Sequence, residues 1–472
     1  MPLFWVYQTP HMPFPYPSDT IAAIATAPGE GAISIVRVSG PETYALADLL
    51  FRCPLPLPSA RPSGTFAYGT VVNPATGEVL DEAITLFFRA PHSYTGEHSI
   101  EIQCHGGSQV AQRILQALRS AGARQAEPGE FTKRAFLNDK LNLTQAEAVL
   151  DLIHARSERA ARLATSQLED ALGLRIQKLY EALLTASADI EAMLDFPDDE
   201  LPQSVPAELT QRLTSISTEI QALLDTWKEG HILREGARIV IAGAPNVGKC
   251  TLLNRLAGRD RSIVSPHPGT TRDTIEESLV LRGYPIQVID TAGLREAPCE
   301  IEQEGIRRTL KALSQADLCL CLVDASKPLS TEELNFISSQ NHKKILVILN
   351  KSDLGIQVSP GDLSNCLSIP FSLKNAPSLD PMIDQILSIL MDAPAGDSHE
   401  CLAISARHNS SLSIALDDVK SSIACMESGN EAQFLPAATH ARSALEHISE
   451  ILGKNFTEEM LDTIFSRFCV GK

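Results

Sequence analysis

The alternation of apolar and polar positions changes character along the chain. Between residues 19 and 136, short period-two runs alternate with turns, and 32–38, 84–88 and 99–103 read as strands. Residues 73–77, with proline and glycine, read as a turn, and a helix is expected after His105-Gly106-Gly107. From Asn142 the period lengthens to that of helices. Thr144 and Glu147 stand at capping-box spacing, and Pro197 is expected to break the helix that follows. A second helical run, 207–227, is expected to end near Gly230, and helices resume after about Cys401. Each helical stretch carries an apolar stripe that needs a partner face, so the two are read as one discontinuous domain. Between them, the apolar runs 238–242, 286–289, 318–323, 345–349 and 367–371 alternate with helical segments. That pattern predicts a parallel sheet covered on both faces.

The expected fold class is multi-domain α/β and α+β. An extension, 1–18, is expected to be disordered, with Met12 as an alternative start. It is followed by an N-terminal α+β domain (19–138), a first helical part (139–235), an inserted Ras-like P-loop domain (236–392) and a second helical part (393–472). The 472 residues accord with about three domains at roughly 150 residues each. Apolar residues make up 44%, enough for folded cores. A net charge of −18 argues against a surface coated with nucleic acid, so RNA contact is expected to be local or made through a partner. No run reaches the ~18 apolar residues of a membrane span, and the first residues lack the basic start of a signal peptide. None of the ten cysteines forms a C-x-x-C pair. Cys319 and Cys321, two apart in a strand-like run, are expected on one buried face, and the cysteine usage fits reduced thiols in a cytoplasm.

Candidate chemistry centres on Gly243-Ala244-Pro245-Asn246-Val247-Gly248-Lys249-Cys250, placed between a strand and a helix. Glycines let backbone N–H groups wrap phosphates, Lys249 neutralises them, and the helix N-terminus adds its dipole. The motif asks for Ser or Thr where Cys250 stands. A soft thiol is a poor ligand for hard Mg²⁺, and Thr251 points elsewhere on a helix. Downstream, Pro268-Gly269-Thr270-Thr271 offers the Thr271 hydroxyl to Mg²⁺ and the γ-phosphate. Asp290-Thr291-Ala292-Gly293 offers a carboxylate to a magnesium-bound water and the Gly293 N–H to the γ-phosphate. In Asn350-Lys351-Ser352-Asp353, the Asp353 carboxylate suits the N1–H and N2 amine of guanine, which selects GTP over ATP. Ser372-Leu373-Lys374 stands where a guanine-side loop is expected. Leu294 follows Gly293 and has no means of orienting a water, so another group must do so; Glu302, with neighbours Glu300 and Glu304, is a candidate.

With these motifs, with Thr95-Gly96-Glu97, with His105-Gly106-Gly107, with 128–141 and with the ending Phe468-Cys469-Val470-Gly471-Lys472, the chain resembles the MnmE (TrmE) family of tRNA-modification GTPases from about Asp19 to its end. The resemblance implies a cytoplasmic homodimer that forms a heterotetramer with the FAD-dependent protein MnmG. It implies modification of the wobble uridine of certain tRNAs at carbon 5, with a 5-formyl- or methylene-tetrahydrofolate as one-carbon donor. It further implies hydrolysis driven by G-domain dimerisation with K⁺, for which the matching positions are Asn246, Ser265, His267 and Thr270 in the segment that also holds Pro266. Glu302 matches the family's water-orienting carboxylate. Arg37, Glu101, Lys140 and Lys472 match its folate site, where cations meet carboxylates and Glu101 meets the N–H edge of the pterin. Cys469 matches its C-terminal cysteine, for which packing or oxidation competes with a direct chemical role. Two other readings are a GTP-regulated ribosome or ribonucleoprotein assembly factor, which has no use for the folate residues or the C-terminal motif, and a folate-binding scaffold whose GTPase fails at Cys250.

Overall fold

The computed structural model describes residues 19–195, 204–258, 276–290, 313–339, 344–363, 366–392, 402, 404–428 and 431–472. The expected extension 1–18 lies outside them. Contacts divide the chain into two units, 1–150 with 455–472 and 151–454. The final segment therefore groups with the N-terminal unit, whereas the sequence boundaries assign it to the helical region.

The first unit is built on a seven-stranded sheet ordered β3-β4-β5-β6-β2-β1-β7. Its strands are β1 (Ile21–Ile24), β2 (Ile33–Ser39), β3 (Phe51–Arg52), β4 (Thr65–Val72), β5 (Val79–Phe88), β6 (Ser99–His105) and β7 (Arg124–Gln125). All pairings are antiparallel except β1 with β7. The period-two pattern sends Val36, Val38, Ile100, Ile102 and Phe87 to one face. There they pack against Leu46 and Leu50 of α1 (Thr43–Leu50) and Ile114 and Leu118 of α2 (Ser108–Ser120). Arg37 and Glu101 stand opposite each other on the other face. A second small core joins α3 (Glu130–Leu137), α4 (Leu143–His154) and the C-terminal α14 (Glu458–Phe465) through Phe136, Leu143, Leu461 and Phe465.

The cap of α4 differs from the sequence expectation. Asn142 Oδ1 accepts from Gln145 N–H at 2.8 Å, and Gln145 Oε1 accepts from Asn142 N–H at 3.0 Å. The reciprocal box is thus Asn142–Gln145, two residues before the Thr144–Glu147 pair. Thr144 is already helical and buried, and its hydroxyl donates to Asn142 Oδ1 at 2.8 Å, so it has no free geometry for capping.

In the second unit, α6 (Ala171–Asp195), α7 (Ser204–Asp225), α12 (Ala406–Glu427) and α13 (Phe434–Leu452) share one apolar core, including Leu183, Leu213, Leu412 and Ile448. The two helical stretches expected to pair do so. The second run ends at Asp225, and a separate helix, α8 (Trp227–Glu235), passes through Gly230 and ends before Gly236, whose φ of +80° suits glycine. The inserted sheet has the order β13-β12-β11-β8-β10-β9, from β8 (Ala237–Gly243), β9 (Glu276–Leu281), β10 (Tyr284–Asp290), β11 (Leu318–Asp324), β12 (Ile345–Asn350) and β13 (Leu367–Pro370). All five strands read from the sequence pair in parallel, and β9 adds an antiparallel edge. Arg282 and Gly283, with φ of +48° and +86°, form the two-residue turn between β9 and β10.

One face of this sheet packs against α9 (Lys249–Ala257) and α11 (Asp380–Met391), the other against α10 (Thr331–Ser339). Cys319 and Cys321 are both buried on the second face, as their spacing predicts, and burial pushes the Cys321 thiol far up. No described helix is long and apolar enough to cross a membrane, and no cluster of metal-ligating side chains occurs among the described residues.

Candidate functional site

Strand β8 ends at Gly243 and α9 begins at Lys249, so the glycine-rich loop runs from the C-terminal end of an inner strand to a helix N-terminus. Gly243, Asn246 and Gly248 have φ of +145°, +61° and +109°. Asparagine is the side chain that best tolerates the left-handed region after glycine. The turn leaves the Asn246 side chain exposed while Val247 is buried. A Cβ on Gly243 would stand 2.3 Å from the Leu322 carbonyl of β11, and one on Gly248 would stand 2.6 Å from Asn350 Nδ2. Both glycines are demanded by close approach as well as by φ.

Lys249 is buried, and its ammonium donates to the carbonyls of Gly243 and Ala244 at 2.9 and 2.8 Å. The charge is therefore held over the loop next to the exposed helix N–H groups, which is what a polyphosphate requires. Cys250 follows on the first turn of α9 and is exposed, as is Thr251.

Asn350 ties the segment around Leu373 to the glycine-rich loop. Its Nδ2 donates to the Val247 carbonyl at 2.7 Å, and its Oδ1 accepts from Leu373 N–H at 2.9 Å. The sequence marked Asn350, Leu373 and Val247 separately; the fold places one amide between them. Lys351, in the left-handed region, pairs with Asp324 at 2.6 Å. Burial alone pushes the Asp324 carboxyl up, and the hydrogen bonds from Lys351 and Ser326 hold it below the usual carboxylate range. Asp353 is exposed and accepts from Asn375 Nδ2 at 3.0 Å. Ser372 Oγ accepts from the Asn375 N–H, and Lys374 is exposed.

Sequence reasoning missed two supports. Arg255 of α9 donates to the carbonyls of Leu373 and Ala376 at 2.6 and 2.8 Å, and Asp324 ends β11 beside Lys351. Asp324 was legible in principle, as an acidic residue ending a buried strand. Arg255 was not, because a helical arginine gives no sign of the loop it reaches. Asp290 closes β10, paired with Ile241 of β8. Ser265, Pro266, His267, Pro268, Gly269, Thr270, Thr271, Thr291, Ala292, Gly293, Leu294, Glu300, Glu302 and Glu304 lie outside the described residues.

A second polar cluster lies in the first unit. Arg37 and Glu101, cross-strand neighbours on β2 and β6, form an ion pair at 2.8 Å. The Arg37 guanidinium lies 5.3 Å from the Tyr94 ring centre and 5.6 Å from that of Phe131. Its Nη1 donates to the Gly471 carbonyl at 3.5 Å. The C-terminal tail reaches this point through a Val470–Pro128 bridge and a Phe131 N–H to Lys472 carbonyl bond at 3.2 Å. Gly471 is buried with φ +99°, and a Cβ there would strike the Ile24 carbonyl at 2.4 Å. Lys140 is exposed, and its Cγ stands 3.3 Å from where a Gly96 Cβ would project, in the loop that carries Tyr94. The structure thus joins Arg37 to Glu101 and to the Gly471 carbonyl, while the Lys472 carbonyl is held by the Phe131 N–H and Lys140 stands beside the adjoining loop. Cys469 is exposed on the tail.

Comparisons with known proteins extend over both clusters. A family model described as "GTP-binding protein TrmE N-terminus" matches residues 20–140, and one described as "MnmE helical domain" matches 143–469. Relatives named tRNA modification GTPase MnmE include that of Geobacter metallireducens, 40% identical over 97% of this chain and 100% of its own. That of Moorella thermoacetica is 42% identical over 96% and 99%. Similarity also extends to solved structures of Aquifex aeolicus Era (24% identity, 38% of this chain and 66% of that one, TM-score 0.25) and the Thermotoga maritima FeoB G domain (22%, 32% and 98%, TM-score 0.25). Superpositions at that score establish no common architecture.

Proposed function

Since this chain belongs to the MnmE family of tRNA modification GTPases, we propose that it hydrolyses GTP and, with an FAD-dependent partner, adds a carboxymethylaminomethyl-type group at carbon 5 of the wobble uridine of certain tRNAs. The observation that carries the GTPase part is the buried Lys249 held over a loop whose Val247 carbonyl is tied by Asn350 to the guanine-side segment. One amide links base recognition to phosphate position, so a correctly seated guanine and a correctly wrapped phosphate favour the same geometry. Lys249 and the N-terminus of α9 neutralise charge that grows on the phosphates as the bond to the γ-phosphoryl group breaks. Glu302 is the proposed water-orienting carboxylate.

The residues fit the implied cations unequally. The exposed Asn246 offers a hard amide oxygen, and K⁺ held there, with Ser265, His267 and Thr270, would add positive charge beside the phosphates. The thiol of Cys250 fits Mg²⁺ poorly, which leaves Thr271 and Asp290 as the protein groups proposed to serve it. One titration tests both assignments. Cys250→Ser is expected to lower the magnesium concentration needed for half-maximal GTP turnover, and hydrolysis in K⁺ is expected to exceed that in Na⁺ at equal ionic strength. An unchanged magnesium curve removes the handicap assigned to the thiol, and equal rates in the two salts remove K⁺ from Asn246.

In the first unit, Arg37 and Glu101 fit a ligand that carries both carboxylates and an N–H edge, as a tetrahydrofolate does when it supplies the one-carbon unit. Arg37 is oriented by two aromatic rings and the tail carbonyl, so it is ready to pair with an anion at small ordering cost. Lys140 and Lys472 add positive charge nearby, and Cys469 is proposed to serve on the same tail. Phe66, Tyr68 and Ile84 are exposed on the sheet face that also carries Arg37 and Glu101. An apolar face of that kind supports the proposed homodimer.

The test of the whole reading is mass spectrometry of wobble uridines in tRNA from cells lacking this protein. The 5-substituted uridine is expected to disappear, to return with the wild-type chain, and to stay absent with Glu101→Gln. Undiminished modification in the deletion strain would overturn the reading.

A further inference from the structure

Helices α5 (Glu158–Leu168) and α8 lie in the helical region of the sequence, yet Leu163, Ile232 and Leu233 are buried in the core of the nucleotide-binding sheet. Trp227, the first residue of α8, packs instead against the four-helix core. Helix α8 therefore spans two cores within one short rod.

A polar interlock holds this seat. Glu229 Oε1 accepts from Arg159 Nη2 at 2.5 Å and from the Tyr284 hydroxyl at 2.6 Å. The Arg159 guanidinium lies 4.6 Å from the centre of the Tyr284 ring. Tyr284 is 3% exposed. At Gly283 an added Cβ would come within 3.2 Å of Arg159 Cβ, so the arginine stem covers the turn directly. One residue from α5, one from α8 and one from the start of β10 are thereby closed into a single contact.

The position of Tyr284 in its hairpin gives the contact meaning. Tyr284 pairs with Leu281 at the turn of β9–β10, and Ile289 pairs with Glu276 at the open end. In the sequence, the Pro268–Thr271 motif precedes β9, and β10 ends on Asp290 of the Asp290–Gly293 motif. The hairpin thus joins the two γ-phosphate-reading motifs, and its other end is clamped to α5 and α8. A continuously paired ribbon transmits displacement along its length better than a loop does, because shifting one end breaks register unless the other follows.

We infer that Arg159, Glu229 and Tyr284 are positioning residues that couple the nucleotide state of the G domain to helices α5 and α8, and through Trp227 to the four-helix core. This rests on the GTPase reading. Hydrogen exchange of the full-length chain, bound to GDP or to a non-hydrolysable GTP analogue, tests it. In the wild type, amide protection in α5 and α8 is expected to differ between the two nucleotides. Tyr284→Phe deletes one hydroxyl and is expected to abolish that difference while nucleotide affinity is retained. Glu229→Gln keeps an acceptor for the tyrosine and is expected to preserve part of it. A difference that survives in Tyr284→Phe, even with a lowered melting temperature, would reduce the interlock to a structural brace and overturn the inference. So would a wild type that binds both nucleotides and shows no difference. Failure to bind either nucleotide would overturn the GTPase reading itself.

Discussion

Replacing Arg134 by leucine is expected to destabilise the N-terminal unit by roughly 3 kcal/mol, near the low end of what breaking a buried ion pair costs. Arg134 is 4% exposed and reaches Asp19 at 2.7 Å, Glu130 at 3.0 Å and Glu97 at 3.2 Å. Glu130 is equally buried, so the loss leaves a buried carboxylate with Arg124 as its remaining guanidinium. That surviving pair is why the lower figure is chosen. Leucine fills much of the volume, so the change reads charge rather than cavity.

The acid limb of stability gives an independent check. Burial by itself pushes the Glu130 carboxyl up, but hydrogen bonds from Arg124, the Glu127 N–H and Arg134 more than reverse this and hold it below the usual range. A depressed carboxyl stabilises the fold above its unfolded pKa of about 4.3, and that contribution is lost as pH falls through the lower folded value. Without Arg134 the folded value rises, and the loss begins at a higher pH. Hydrogen exchange at the β2 and β6 amides, followed against pH in both proteins, measures each effect. A stability change below about 1 kcal/mol, the range of surface pairs, with an unmoved acid limb would mean that the cluster is not a buried network.

Asp353→Asn is expected to weaken GTP binding by about tenfold to a hundredfold, the equivalent of one charge-assisted hydrogen-bond pair, and to shift preference toward xanthine nucleotides. The carboxylate offers two acceptors to the N1–H and N2 amine of guanine. Asparagine presents a donor where one acceptor stood, which opposes the guanine amine and suits the carbonyl of xanthine. Asp353 already accepts from Asn375 Nδ2, so its orientation is set by the loop that follows β13. Competition between GTP and xanthosine triphosphate in a binding assay reads the change directly. Unaltered selectivity would remove Asp353 from base recognition.

Both predictions rest on residues that were legible to different degrees. Asp353 announced itself because Asn350, Lys351 and Asp353 follow a buried strand at a spacing set by local backbone. Arg134 did not, because its partners Asp19 and Glu97 are far away in sequence and only the sheet brings them together. The same division runs through the candidate sites. The positive φ of Asn246 and Gly248 and the strand-to-helix turn are local properties, so composition and spacing sufficed for the conformation of the glycine-rich loop. The Arg37–Glu101 contact depends on the register between β2 and β6, and the approach of Gly471 depends on where the tail lies down.

The amino-acid order by itself determined the strand and helix periods, the place of the glycine-rich loop between a strand and a helix, the shared buried face of Cys319 and Cys321 and the sharing of one core by two distant helical stretches. Each follows from short-range sterics or from the need to cover an apolar stripe. Only the tertiary structure decided that Asn142 rather than Thr144 caps α4, that α5 and α8 seat on the nucleotide sheet, that one Asn350 amide joins the Val247 and Leu373 loops, and that the last residues lie against Arg37. Those outcomes are choices among partners that are close in chemistry and distant in sequence. Burial, register and close approach break the tie, and none of these exists until the chain has folded.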